Sequence, residues 1–175
     1  MTANTSGAAP HWPASVRALH WLMAAALILQ WFAGEFDDAF GGSGFHVSLG
    51  LTLFALLLVR LVLRLLLPSP PPPAGSPGWE RLAARLVQWA WYLLLLALPL
   101  TGLLYRDLRD RTVSWFGLFD LPGFLEGNRE LAHQMEEVHE WLAWAAVALL
   151  VLHVVAALKH HFIDRDHVLR AMVGR

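Results

Sequence analysis

Residues 138–162 read VHEWLAWAAVALLVLHVVAALKHHF. Trp141 to Leu158 is a run of eighteen residues without a charge, relieved by a single histidine, His153. A helix that crosses a bilayer needs ~20 mostly apolar residues, within a range of ~17–25. Three further charge-free runs precede this one: seventeen residues between Arg17 and Glu35, twenty-one between Asp38 and Arg60, and twenty from Leu86 to Tyr105. The pattern predicts an all-α integral membrane four-helix bundle, one transmembrane domain over 1–175, with helices near 18–36, 45–67, 82–105 and 138–162. The first run lacks a basic start and an Ala-x-Ala site, so it reads as a retained helix and not a cleaved leader.

Composition agrees. The 175-residue chain is 57% hydrophobic and only 15% charged, with nine Trp, nine His and no Cys. Soluble domains average ~25% charged residues. The absence of Cys excludes disulfides, iron–sulfur clusters, thiolate haem ligation and c-type haem attachment. The segment PSPPPPAGSP (68–77) cannot continue a helix and predicts an extended link. Residues 37–44 predict an acidic, Gly-rich turn, and 106–137 the one long loop.

The charges set an orientation. Arg17, Arg60, Arg64, Arg81, Arg85, Lys159, Arg165, Arg170 and Arg175 flank one side; Arg106, Arg109, Arg111 and Arg129 flank the other. The positive-inside rule then places both termini in the cytoplasm.

Histidine inside a span is costly and calls for a reason. His20 opens the first predicted span, His46 the second and His139 the fourth, with His153 fourteen residues later. Alternating topology matches His46 with His139 at the outer depth and His20 with His153 at the inner depth. Fourteen residues return to within roughly 40° of the starting direction and cover about 21 Å of helix. A lone histidine at a span end is ordinarily an interfacial hydrogen-bonding group. Four at two matched depths fit two b-type haems, each with iron held by two imidazoles. A zinc site would gather its ligands in one place.

Several stretches carry a family resemblance: ALHWL (18–22), HVSLGL (46–51) followed by Arg60 and Arg64, Tyr92 with ALPLTG (97–102), WFGL (115–118) with Leu121-Pro122, and a tail of His153, ALKHHF (157–162), Asp164, Asp166, Leu169 and Met172. On these the chain resembles the bacterial cytochrome b561 family. The resemblance implies a four-helix inner-membrane protein with two b haems, ligated by His20, His46, His139 and His153, and a quinone-reactive site. One branch, similar in size and tail, oxidises superoxide at the outer face and reduces ubiquinone. Other branches are relay subunits that carry electrons from a partner dehydrogenase to quinone. The chain departs from the family at Gln88, where many members have His, and at 105–111, where many have a short Ser/Gly turn.

At the inner end, His160 is a candidate for hydrogen bonding or protonating quinone, and Arg17 and Lys159 are candidates for haem propionates. Ordinary interfacial roles remain open for these. Arg60 and Arg64 read as residues that snorkel to lipid headgroups or meet propionates. At the outer end, Arg106, Arg109, Arg111 and Arg129 offer a basic funnel for superoxide, but acids intersperse them and a solvated mixed-charge loop is the more ordinary reading. Trp115 and Phe116 suit either a cover over the outer haem or an interfacial anchor. The expected partners are membrane lipid, ubiquinone, and superoxide or a periplasmic redox protein, with no nucleic acid. A haem-free structural or transport bundle is the competing class.

Overall fold

A computed structural model describes residues 11–73 and 75–174; Arg175, counted above among the basic flanks, lies outside them. The chain is mostly helical. Helix α1 spans Ala14–Glu35, a 3₁₀ turn Asp37–Phe40, α2 Ser43–Leu66 and α3 Gly78–Asp107. A small hairpin follows, β1 Val113–Trp115 and β2 Phe119–Leu121, and then α4 spans Arg129–Lys159. Helix α4 runs on into a π turn at His160–Asp164, and a short α5 covers Val168–Val173. Four of these helices are long and apolar enough to cross a membrane.

Helix ends follow backbone capping rather than hydropathy. Pro13 and Pro77 precede α1 and α3, where a missing N–H is no loss. The Asn128 side chain accepts from Leu131 N–H and starts α4 at Arg129. Helix α4 therefore begins about nine residues before its expected start, and His139 lies well inside it rather than opening it. The expected loop 106–137 shrinks accordingly and is itself structured. The Asp107 carboxylate accepts from the N–H groups of Phe124 (3.0 Å) and Leu125 (3.1 Å). Charge runs locate the bilayer; they do not locate helix ends that project beyond it.

Helix α1 packs chiefly on α2 and α3 on α4, with α2 and α3 joining the two pairs. The tightest packing is among Leu19, Met23, Leu53 and Leu57, backed by Tyr92 and Leu95 of α3. Outward positions stay bare: Trp141 is 77% exposed and Leu65 76%. Such surfaces are stable only against lipid.

The hairpin is fixed to α2. Ser48, 3% exposed, accepts from Phe116 N–H (2.9 Å) and also lies 3.2 Å from the Ser114 carbonyl; the Trp115 indole donates to Thr52 Oγ1 (3.0 Å). Trp115 is thus an anchor on α2. The opposite end of the bundle gathers the terminal segments: Trp12 N–H donates to the Ala171 carbonyl (3.2 Å) and the Trp21 indole to that of Met172 (3.2 Å).

Candidate functional site

The helices bring the four histidines together as two pairs. At the hairpin end, the rings of His46 and His139 have centroids 6.1 Å apart at 76°. At the terminal end, His20 and His153 are 6.2 Å apart at 63°. Two imidazoles bound to one metal ion, each at roughly 2.0–2.1 Å with about 1.1 Å from nitrogen to ring centre, would have centroids about 6.3 Å apart. Both pairs have that spacing.

The hairpin-end rings are held by one device, used twice. His46 Nδ1–H donates to the Gln30 carbonyl of α1 (3.0 Å). His139 Nδ1–H donates to the Leu98 carbonyl of α3 (2.9 Å) and lies 3.0 Å from Thr101 Oγ1. A carbonyl only accepts, so Nδ1 of each ring carries the proton and Nε2 keeps its lone pair; at His46 that lone pair accepts from the Gln30 side-chain amide, 3.2 Å away. Four residues beyond each carbonyl stands a glycine. A Cβ on Gly34 would lie 2.8 Å from His46 Cε1, and one on Gly102 would lie 3.2 Å from His139 Cε1. The missing side chains let each ring reach the helix backbone. Pro99, next to Leu98, removes a hydrogen bond from the α3 ladder beside this contact. The Gln30 amide closes the arrangement by donating to the His46 carbonyl (3.0 Å). Gly50 makes room for that amide, since a Cβ there would sit 3.1 Å from Gln30 Nε2.

A cavity of about 650 Å³ opens between the helix pairs and is lined by His46, His139, Gly34, Gly50 and Gly102, with Trp31 and Trp144 beside them. Arg106 and Arg111 line it near the hairpin. Arg106 donates to Ser43 Oγ (3.1 Å) and to the Thr112 carbonyl (2.9 Å), while its Nε is buried without a partner among the described residues. Phe116 and Trp115 do not line this cavity.

At the terminal end, Arg60, Arg64, Gln88, Tyr92, Trp12 and Met172 surround a small cavity of about 60 Å³. Arg60 Nη1 and Arg64 Nε are buried there without partners among the described residues. Trp12 lies against the Arg64 guanidinium at 5.6 Å. Lys159 is engaged elsewhere: its ammonium lies 2.8 Å from both Glu80 Oε1 and Asp164 Oδ2. Arg17 packs against Gly174 in the C-terminal segment. His160 opens the π turn, with Nδ1 at 2.6 Å from Asp166 Oδ2 and 3.1 Å from Asp164 Oδ2.

Sequence reasoning named the four histidines but missed their supports: Gln30, Gly34, Leu98, Thr101 and Arg106. The Thr101-Gly102 pair stood in a quoted family stretch without a role. Gly34 has no local mark, because its purpose depends on a ring delivered by another helix.

The family model for prokaryotic cytochrome b561 matches residues 11–175. This chain belongs to the prokaryotic cytochrome b561 family. Cytochrome b561 homolog 2 of Escherichia coli K12 is 37% identical over 170 residues, covering 90% of this chain and 88% of the relative. A probable superoxide oxidase, CybB, of Yersinia pestis is 31% identical over 165 residues, covering 90% and 92%. Cytochrome b561 homolog 1 of Escherichia coli K12 is 30% identical over 168 residues, covering 90% and 93%. As a cytochrome b561, the protein is a bacterial membrane electron-transfer protein, and its family binds haem b. The residues present suit that group: imidazole pairs at metal-bridging distance, a cavity of cofactor size beside one pair, and unpartnered guanidinium nitrogens near each pair for anionic propionates.

Proposed function

We propose that this cytochrome b561 is a di-haem carrier that oxidises superoxide at the periplasmic face of the inner membrane and reduces ubiquinone at the cytoplasmic face. The observation that carries this reading is the pair of two-imidazole sites, 6.1 and 6.2 Å between rings, set fourteen residues apart along α4. His46 and His139 hold one haem; His20 and His153 hold the other. The hairpin end faces the periplasm and both termini face the cytoplasm, following the nine-to-four division of basic residues. The relative named a probable superoxide oxidase supports the choice of donor.

When bound, haem iron supplies one-electron transfer through its ferric and ferrous states. The protein residues do the rest. Arg106 faces propionates at the hairpin end, and Arg60 with Arg64 does so at the terminal end. Arg60 and Arg64 replace Arg17 and Lys159 in this role, because Lys159 is already neutralised by two carboxylates and Arg17 lies against Gly174. Two superoxide anions become two dioxygen molecules, and the two electrons with two protons convert ubiquinone to ubiquinol. His160 delivers a proton to the quinone oxygen through Nε2, while Asp164 and Asp166 hold its Nδ1–H.

The purified chain, reconstituted with ubiquinone and given superoxide, is expected to reduce its haem rapidly and form ubiquinol without any other protein. Haem reduction that requires a co-purifying dehydrogenase would replace this reading with that of a relay subunit. Within the same assay, His160→Ala is expected to slow ubiquinol formation by about 100-fold and Asp166→Asn by about tenfold, with haem content unchanged. Loss of haem in either variant would remove His160 from the quinone step.

A further inference from the structure

The two histidine pairs match in spacing but not in surroundings. At the hairpin end both Nδ1–H groups donate to main-chain carbonyls, Gln30 for His46 and Leu98 for His139, and His139 has Thr101 Oγ1 at 3.0 Å as well. The Thr101 hydroxyl is 2.9 Å from the Leu98 carbonyl and 3.0 Å from that of Ala97, so its proton goes to the backbone and its lone pair faces the ring. At the terminal end no described residue forms a hydrogen bond with a ring nitrogen of His20 or His153. Trp91 touches His153 only edge-on, at 6.3 Å between ring centres.

A carbonyl that accepts from Nδ1–H draws the proton outward and makes Nε2 a stronger donor to a metal. Stronger axial donation stabilises ferric over ferrous iron and lowers the reduction potential. Charge acts in the same direction. Four carboxylates (Glu35, Asp37, Glu136, Glu140) line the hairpin-end cavity against two guanidiniums (Arg106, Arg111), and Glu136 is paired with Arg109 at 2.9 Å, which leaves an excess of one negative charge. At the other end the Arg60 cation acts on both rings, whereas Arg106 at the hairpin end acts on His46 and is opposed there by Asp37. Negative surroundings favour the oxidised centre and positive surroundings the reduced one.

We propose that the haem held by His46 and His139 is the lower-potential centre, and that Thr101 is a positioning residue that keeps it low through His139. This rests on the ligand assignment under Proposed function. The electron step from the hairpin end to the terminal end then runs downhill. Hydrogen bonding at the rings thus gives the protein a direction that its pseudo-symmetric ligand set lacks.

The test is a spectroelectrochemical titration of the holoprotein, with single-haem variants to assign each midpoint. His139→Ala is expected to remove the lower midpoint and His153→Ala the higher one. Thr101→Val, which keeps shape but removes the acceptor, is expected to shift the lower midpoint upward, leave the other in place and keep haem content. Thr101→Ser is expected to titrate like the parent. The proposal is overturned if His139→Ala removes the higher midpoint, or if Thr101→Val moves neither midpoint or both by the same amount. The order of the midpoints decides the matter even if the valine variant does not accumulate. Retention of both haems in His139→Ala would instead remove the ligand assignment, and the tuning with it.

Discussion

Alanine in place of His139 is expected to halve the haem content of the purified protein and to abolish superoxide-driven ubiquinol formation. The bundle itself should persist, because His139 packs on a cavity wall and not within the Leu19, Met23, Leu53 and Leu57 cluster. Loss of the imidazole would leave His46 as the single ligand of the proposed site and the Thr101 hydroxyl as the side-chain donor to the Leu98 carbonyl. A five-coordinate iron without its second axial bond has a distinct spectrum, so any residual haem would be recognisable. Haem per chain, read from the reduced-minus-oxidised b-type bands against protein concentration, measures the effect. Activity should fall by at least ~100-fold, the upper end of the loss seen when only an outer-shell partner of a ligand is removed. Full haem content in this variant would remove His139 from the ligand set. His153→Ala should halve the haem as well but leave the superoxide-facing centre reducible, so the two variants divide entry from exit.

The second large effect involves a residue without a polar side chain. Gly34→Ala places a Cβ 2.8 Å from His46 Cε1 and 2.9 Å from Nδ1. These are sub-contact distances, so the ring must move and its hydrogen bond to the Gln30 carbonyl breaks. Overpacking of this kind costs about 1–3 kcal/mol, which is a tenfold to hundredfold loss in haem affinity at about 1.4 kcal/mol per decade. Gly102→Ala meets His139 at 3.2 and 3.4 Å and should cost less. Haem titration of the apoprotein ranks them: parent tightest, then Gly102→Ala, then Gly34→Ala. Equal affinity for parent and Gly34→Ala would show that the ring need not reach the α1 backbone.

The bilayer-facing architecture was legible because apolar length is a direct physical requirement of crossing lipid. The four helices coincide with the four charge-free runs. Their ends were less legible. The first turns of α4, Arg129 to His139, are charged and leave the apolar zone, and only the Asn128 cap marks the start. The pairing of His46 with His139 and of His20 with His153 followed from depth alone, since alternating helix directions fix the height of each residue. What holds those rings was hidden. Gly34 and Gly102 matter through backbone carbonyls four residues earlier, and that relation exists only when a second helix brings a ring. Arg60 was visible as a cation near one membrane face, but sequence carries no sign that its Nη1 is buried without a partner among the described residues.

The stretch of bundle between the two histidine layers has an electrical consequence. Its cavity wall is aliphatic, with Leu27, Leu53, Leu95, Ala146 and Leu150. Between the layers the only charged residue on the four helices is Glu140, directly beside His139. Such a wall admits electron tunnelling and excludes ions and protons. In the proposed orientation each electron therefore crosses alone, over about 21 Å of a ~30 Å hydrocarbon core. It moves toward the negative interior, against about two-thirds of the membrane voltage, which is about 1.5 kcal/mol per 100 mV. Superoxide removal by this protein would then charge the membrane, and the standing voltage would act as a brake on turnover.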